Sequence, residues 1–133
     1  MGDTITYGLV EDLDILLGAG ADTVDIESIH TSTPTELWTA GGNDRVNVGA
    51  NTLTLNDINT KLTIDAGSGT SDYLHLIDTN DSADNVVEIE PDPVSGFGRI
   101  SGLGMGSGSQ TTLVDAKGVH YTCLLYTSPS PRD

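Results

Sequence analysis

Three aspartates, Asp22, Asp44 and Asp72, each end a short glycine-rich segment, and their carboxylates are the groups best spaced for chemistry. The second aspartate follows the first by 22 residues, and the third follows the second by 28. One aspartate therefore recurs in each structural repeat. If the three align on stacked strands, neighbouring carboxylates lie about 4.8 Å apart. Their repulsion is then of order 3 kcal/mol per pair at an effective dielectric of about 20. A divalent cation would turn that cost into a gain.

The same residues also fit a purely conformational role. Glycine supplies positive φ, aspartate accepts backbone hydrogen bonds in an Asx-turn, and water screens the charges. The sequence leaves both interpretations open.

An oxygen-rich loop offers a second candidate metal site, with Asp78, Asp81 and Asp84 as ligands. The loop begins like an EF-hand, but Ala83 stands in place of the glycine and Ile89 in place of the final carboxylate. A solvated acidic loop is the alternative.

The segments on both sides of each turn alternate apolar and polar side chains, which is typical of strands. A repeat of 22 to 28 residues has room for three short strands, whereas two nonapeptides of a β-roll span about 18. The sequence therefore predicts an all-β chain: a parallel β-helix, or β-solenoid, of about three to four rungs with Gly/Asp-rich turns. The six flanking strands are predicted at 13–17, 23–26, 36–38, 45–48, 61–64 and 73–76.

Each rung is expected to have a third strand and to stack like residues on like. The third strands are predicted at 28–30, 52–55 and 86–89. Stacking predicts two apolar ladders, one of Val24, Val46 and Leu74 and one of Leu13, Leu37 and Leu62. Residues 96–108 form either a fourth, irregular rung or a connection.

The acidic composition argues against polyanionic partners and favours an extracellular location. A net charge of −15 repels phosphate backbones and anionic lipid, so we expect no nucleic acid and no membrane insertion. Abundant Asp, Thr and Gly with little Lys suit an extracellular or cell-surface bacterial protein stabilised by cations, although halophilic cytosolic proteins look similar.

The last segment, residues 123–133, abandons the Gly/Asp pattern at once and contains the single cysteine. A common transposase adapter, translated in one frame, gives this peptide residue for residue. We therefore predict a truncated repeat fragment over 1–122, followed by adapter-derived sequence over 123–133. Within the first part, 119–121 resembles 5–7, which suggests a longer repeat.

The first turn resembles the nonapeptide of the RTX (hemolysin-type, calcium-binding) proteins and their long-repeat relatives. That motif is Gly-Gly-x-Gly-x-Asp-x-apolar-x; residues 17–25 match except at Leu17, and residues 39–47 keep Gly42, Asp44 and Val46. In this family calcium lies between adjacent turns, on aspartate and backbone carbonyl oxygens. The resemblance implies calcium bound by the three aspartates and by the carbonyls of Gly20, Gly42 and Gly69. The third turn departs from the motif by one extra residue before Asp72.

The resemblance implies a structural or adhesive repeat segment of a large secreted or cell-surface bacterial protein, not an enzyme. Its expected partners are neighbouring repeats of the same parent chain, with surface glycans or other cells as further candidates. The alternative is a fragment of a β-helix polysaccharide lyase or epimerase. That alternative requires cations such as Arg45 and Lys61 to converge with acids on one face.

Overall fold

The structure is a computed structural model that describes residues 6–91, 98–105 and 118–122. Every regular element in these ranges is a strand, and they contain no helix long and apolar enough to cross a membrane. The strands are β1 (Leu13–Leu16), β2 (Thr23–Ile26), β3 (Thr35–Trp38), β4 (Arg45–Val48), β5 (Lys61–Asp65), β6 (Tyr73–Leu76), β7 (Val87–Pro91), β8 (Gly98–Gly102) and β9 (Gly118–Thr122).

The strands form two sheets. The three-stranded sheet has the order β2-β4-β6 and is parallel throughout. The six-stranded sheet has the order β1-β3-β5-β9-β8-β7; its first four strands are parallel, while β8 runs antiparallel to both β9 and β7.

Three similar units build the first part of the molecule. Each unit is a strand of the larger sheet, a glycine-rich turn and a strand of the smaller sheet: β1 with β2, β3 with β4, and β5 with β6. Side chains alternate along β4, so that Val46 and Val48 are buried while Arg45, the first residue of the strand, is exposed. The six predicted strands flanking the turns are confirmed at these positions.

The core lies between the two sheets and is closed by residues from the connecting loops. Leu37, Leu62 and Ile64 come from the larger sheet, and Val46 and Val48 from the smaller one. Ile29, Leu55, Ile58, Met105 and Val119 complete the buried cluster. Burial of these apolar side chains is the main favourable term that holds the sheets together.

The predicted parallel β-helix is wrong. The larger sheet is mixed, because β7 and β8 pair antiparallel, and the expected third strands do not form a third sheet. Residues 52–55 form no strand, 28–30 contribute a single bridge from Ile29 to Ile58, and the strand near 86–89 joins the larger sheet as β7. The chain is all-β in its described residues, but it is not a solenoid.

One of the two predicted apolar ladders is confirmed and the other is wrong. Val24, Val46 and Leu74 are direct partners across the smaller sheet. In the larger sheet, however, Thr35 is the residue that lies between Leu13 and Leu62. Leu37 is two positions further along, opposite Ile15 and Ile64. A shift of two residues keeps the same face buried, so alternation alone could not fix this register.

The end of the chain closes one side of the larger sheet. The predicted irregular stretch at 96–108 contains β8, and 119–121 lies within β9, which pairs with β5. Gly102 ends β8 with φ of 90°, and a Cβ there would overlap the carbonyl oxygen of Val86. Residues 5 and 123–133, on which other sequence predictions depend, lie outside the described residues.

Candidate functional site

The three aspartates singled out by the sequence stack turn on turn, and we call this arrangement the aspartate ladder. The backbone N–H of Asp22 donates to Oδ1 of Asp44 at 2.9 Å. The backbone N–H of Asp44 donates in the same way to Oδ1 of Asp72 at 3.0 Å. Each of these two carboxylates therefore accepts a hydrogen bond from the preceding turn, and hydrogen bonds to a charged acceptor are among the stronger ones.

The glycines allow the turns to approach each other closely. A Cβ on Gly42, which has φ of 135°, would overlap the carbonyl oxygen of Gly20. A Cβ on Gly69 would overlap the carbonyl oxygen of Gly42 and crowd the carboxylate of Asp72. Glycine at 42 and 69 is thus required by contact between backbones, and carbonyl oxygens of Gly20 and Gly42 point along the stack.

Two oxygens of the ladder have no hydrogen-bond partner although they are buried. They are Oδ2 of Asp22 and Oδ2 of Asp44. The Asp44 side chain is only 2% exposed, and its Oδ1 is already used by the Asp22 amide. An ionised carboxylate oxygen buried without a partner is costly, so this position favours a cation or another donor.

The ladder does not gather its three carboxylates around one point. No group of three or more His, Cys, Asp or Glu side chains in the described ranges is placed to hold a metal ion. A cation between two turns would therefore meet at most two ladder carboxylates and would need carbonyl or water oxygens as well, because calcium takes six to eight. Calcium on these residues stays a prediction.

The second predicted loop brings two of its three aspartates together. The side-chain amide of Asn85 donates to Oδ2 of Asp78 at 3.2 Å and to Oδ2 of Asp81 at 3.0 Å. Asp78 also accepts the backbone N–H of Leu55 at 3.2 Å. Asp84 is exposed. These contacts make the loop an amide-bridged acidic pair.

Hydrogen bonds also lower the pKa of one carboxyl group in this loop. The backbone N–H of Ala83 donates to Asp81 at 2.8 Å and is the largest cause that lowers the pKa of Asp81 below its ordinary 3.8; the amide of Asn85 is the next. Both donors favour the charged form.

The outer face of the smaller sheet carries polar and aromatic side chains. The guanidinium of Arg45 lies 5.5 Å from the centre of the Tyr73 ring, which makes an edge contact with His75. Asn47 donates to Asp25 at 2.7 Å. The Arg45–Tyr73 and Asn47–Asp25 contacts are cross-strand pairs of the kind that stabilise sheets, whereas Tyr73 and His75 are neighbours on the same face of β6.

Arg45 and Lys61 lie in different sheets, since Arg45 begins β4 and Lys61 begins β5. The two cations that the lyase-like alternative requires on one face thus begin strands of different sheets.

A buried polar row in the larger sheet was missed by sequence reasoning. Thr63 pairs with His120, and His120 with Arg99, across β5, β9 and β8. All three side chains are buried, with His120 only 1% exposed, and neither His120 nor Arg99 lacks an interaction partner. The available signal was alternation, which separates His120 from its apolar neighbours Val119 and Tyr121.

Comparison with known protein families, with curated proteins and with solved structures found no match. The resemblance to RTX repeats therefore remains a hypothesis drawn from the turn motifs.

Proposed function

We propose that this chain is a structural or adhesive repeat segment of a large secreted or cell-surface bacterial protein, stabilised by calcium at its Gly–Asp turns. The observation that carries the proposal is the pair of buried, unpartnered carboxylate oxygens, Oδ2 of Asp22 and Oδ2 of Asp44. A cation at these oxygens would offset both their desolvation and the repulsion between neighbouring carboxylates. The fold would then be sensitive to the cations of the extracellular medium.

The ligands would come from consecutive turns. Asp44 and Asp72 each use Oδ1 for an amide, which leaves the second oxygen of each carboxylate for a cation. The carbonyl oxygens of Gly20 and Gly42, which lie over the next glycine of the stack, are the backbone candidates. Carboxylate and carbonyl oxygens are the ligand types that calcium prefers.

Charge and repetition support the proposed setting. A chain of net charge −15 is poorly suited to polyanionic partners such as nucleic acid, and it gains more from divalent cations than a neutral chain does. Two equivalent contacts between three similar units support a role in which the chain serves as a spacer, with neighbouring repeats as partners. Surface glycans or other cells are the proposed targets of an adhesive role.

The test is thermal unfolding of the full chain, followed by circular dichroism, in EDTA, in millimolar calcium and in millimolar magnesium. We expect calcium, but not magnesium, to raise the midpoint. The ladder variant Asp22→Ala, Asp44→Ala, Asp72→Ala should lose this response. A control with the same net charge replaces exposed aspartates outside both candidate sites instead: Asp12→Ala, Asp14→Ala, Asp57→Ala. A calcium response equal in both triple variants, or no response in the natural sequence, would contradict the proposal.

A further inference from the structure

Two interfaces between the three units have the same construction. In each interface, the two strands of one unit pair in parallel with the two strands of the next. In each, the aspartate amide of one turn donates to Oδ1 of the next aspartate, and one glycine carbonyl lies over the next glycine. The contact is directional, since one side offers the amide and the other side the carboxylate.

The two ends of this series differ. At the first end, β1 and β2 are both edge strands, so no strand of the described residues covers either sheet there. In the last of the three units, β9 covers β5, and β6 is an edge strand. The first end is therefore the place where a whole unit can be added without displacing a strand.

The carboxylate of Asp22 occupies the ladder position at the open end. Asp44 and Asp72 each accept the amide of the preceding turn, but the described residues provide no turn before that of Asp22. By the pattern of the two existing interfaces, Oδ1 of Asp22 is the acceptor for the amide of a further turn. Leu16, in the edge strand β1, is 72% exposed. Unpaired strand edges and exposed leucine are features that proteins usually cover.

We propose that this open end docks a further strand–turn–strand unit of the same chemistry, supplied by a neighbouring part of the parent polypeptide. The incoming unit pairs in parallel with β1 and β2 and donates its turn amide to the carboxylate of Asp22. This inference rests on the proposed role as a repeat segment, but it does not require calcium. It continues an interface that the molecule already contains twice, whereas an unrelated strand would cover one edge and leave Asp22 unpaired.

The test uses the full chain and, as probe, a synthetic peptide of residues 33–50, which spans one unit. Amide hydrogen exchange is measured with and without millimolar peptide, in EDTA and again in calcium. We expect at least tenfold slower exchange for amides of both β1 and β2. The variant Asp22→Ala should weaken peptide binding at least tenfold, and Asp57→Ala, at an exposed position outside β1 and β2, should not. A peptide with Asp44→Pro, which lacks the turn amide, should bind as weakly as the natural peptide binds to Asp22→Ala.

Protection of only one edge, equal binding by the Asp22→Ala chain, or no protection in either medium would overturn the docking proposal. The peptide could also protect the edges only in calcium, with that protection lost in the Asp22→Ala chain. This result would assign Asp22 to a cation and not to an amide, and it would also overturn the docking proposal. Because the calcium response of unfolding is measured without peptide, failure of docking and failure of the proposed function give different results.

Discussion

The two sheets of the molecule differ in how their strands run. The smaller sheet is parallel and in unbroken register across β2, β4 and β6. The larger sheet is parallel from β1 through β3 and β5 to β9, and the direction then reverses at β8, which is antiparallel to both β9 and β7. All three strands that follow the Gly–Asp turns, β2, β4 and β6, lie in the parallel sheet, whereas the antiparallel pairs involve strands that come after β6 in the chain.

The contrast indicates what holds each region together. In the parallel region, the same three units are joined both by buried apolar side chains and by the hydrogen bonds of the aspartate ladder. In the antiparallel region, Val87 and Ile89 of β7 are exposed, and pairing with β8 is the main contact. The parallel region should therefore carry most of the free energy of unfolding.

The largest expected effect follows from this contrast. Leu62 in β5 is fully buried, so Leu62→Ala should lower the free energy of unfolding by about 2–5 kcal/mol. Ile89 in β7 is 68% exposed, and Ile89→Ala should change it by no more than about 0.5–1 kcal/mol. Urea denaturation measures both values. Equal losses would remove the proposed difference between the two regions.

The glycine stack is expected to come next. Gly42→Ala should cost about 1–3 kcal/mol, because the backbone at 42 has positive φ and an added Cβ overlaps the Gly20 carbonyl. Gly20 is the matched control, since nothing lies within 4 Å of a Cβ built there and Gly20→Ala should stay within about 1 kcal/mol. Urea denaturation of both variants tests this; similar costs would contradict close turn stacking.

A smaller effect is expected on the outer face of the smaller sheet. The hydrogen bond from Asn47 to Asp25 is exposed, so Asn47→Ala should cost about 0.5–1 kcal/mol or less. A double-mutant cycle with Asp25→Ala measures the coupling. A coupling above about 2 kcal/mol would contradict the expectation that an exposed hydrogen bond on this face adds little to the free energy of unfolding.

The smallest effect concerns pH. Because hydrogen bonds lower the pKa of Asp81 below 3.8, its contribution to stability is present above that pH and is lost as pH falls through the lower, folded-state pKa. Asn85→Ala removes the second of these causes and should move the pKa of Asp81 back towards 3.8. Carboxyl resonances followed by NMR titration report the change, with Asn51→Ala as a control that leaves it unmoved.

Much of the parallel region could be predicted from the sequence, because its signals are local. Alternation places each strand, and glycine followed by aspartate places each turn. The rest depends on contacts that no local pattern contains. Leu37 lies two residues from its predicted partners because both registers bury the same face. The consecutive strands β7 and β8 pair antiparallel, and alternation predicts a strand but not its direction, so the predicted β-helix failed.

The candidate site could be predicted in its residues but not in its bonding. The repeat of Asp22, Asp44 and Asp72 is visible in the sequence, whereas the use of one oxygen by the preceding turn is not. The burial of Asp44 could not be predicted either, because it follows from packing of neighbouring turns.

The central claim is that the aspartates connect neighbouring turns in one direction, and amide hydrogen exchange in EDTA tests it most directly. Relative to the amide of Val46, Asp44→Ala should speed exchange of the Asp22 amide about tenfold or more, because that amide loses its charged acceptor. Asp72→Ala should do the same to the Asp44 amide and leave the Asp22 amide unchanged. If either variant altered both amides equally, or neither, the ladder would not exist as described.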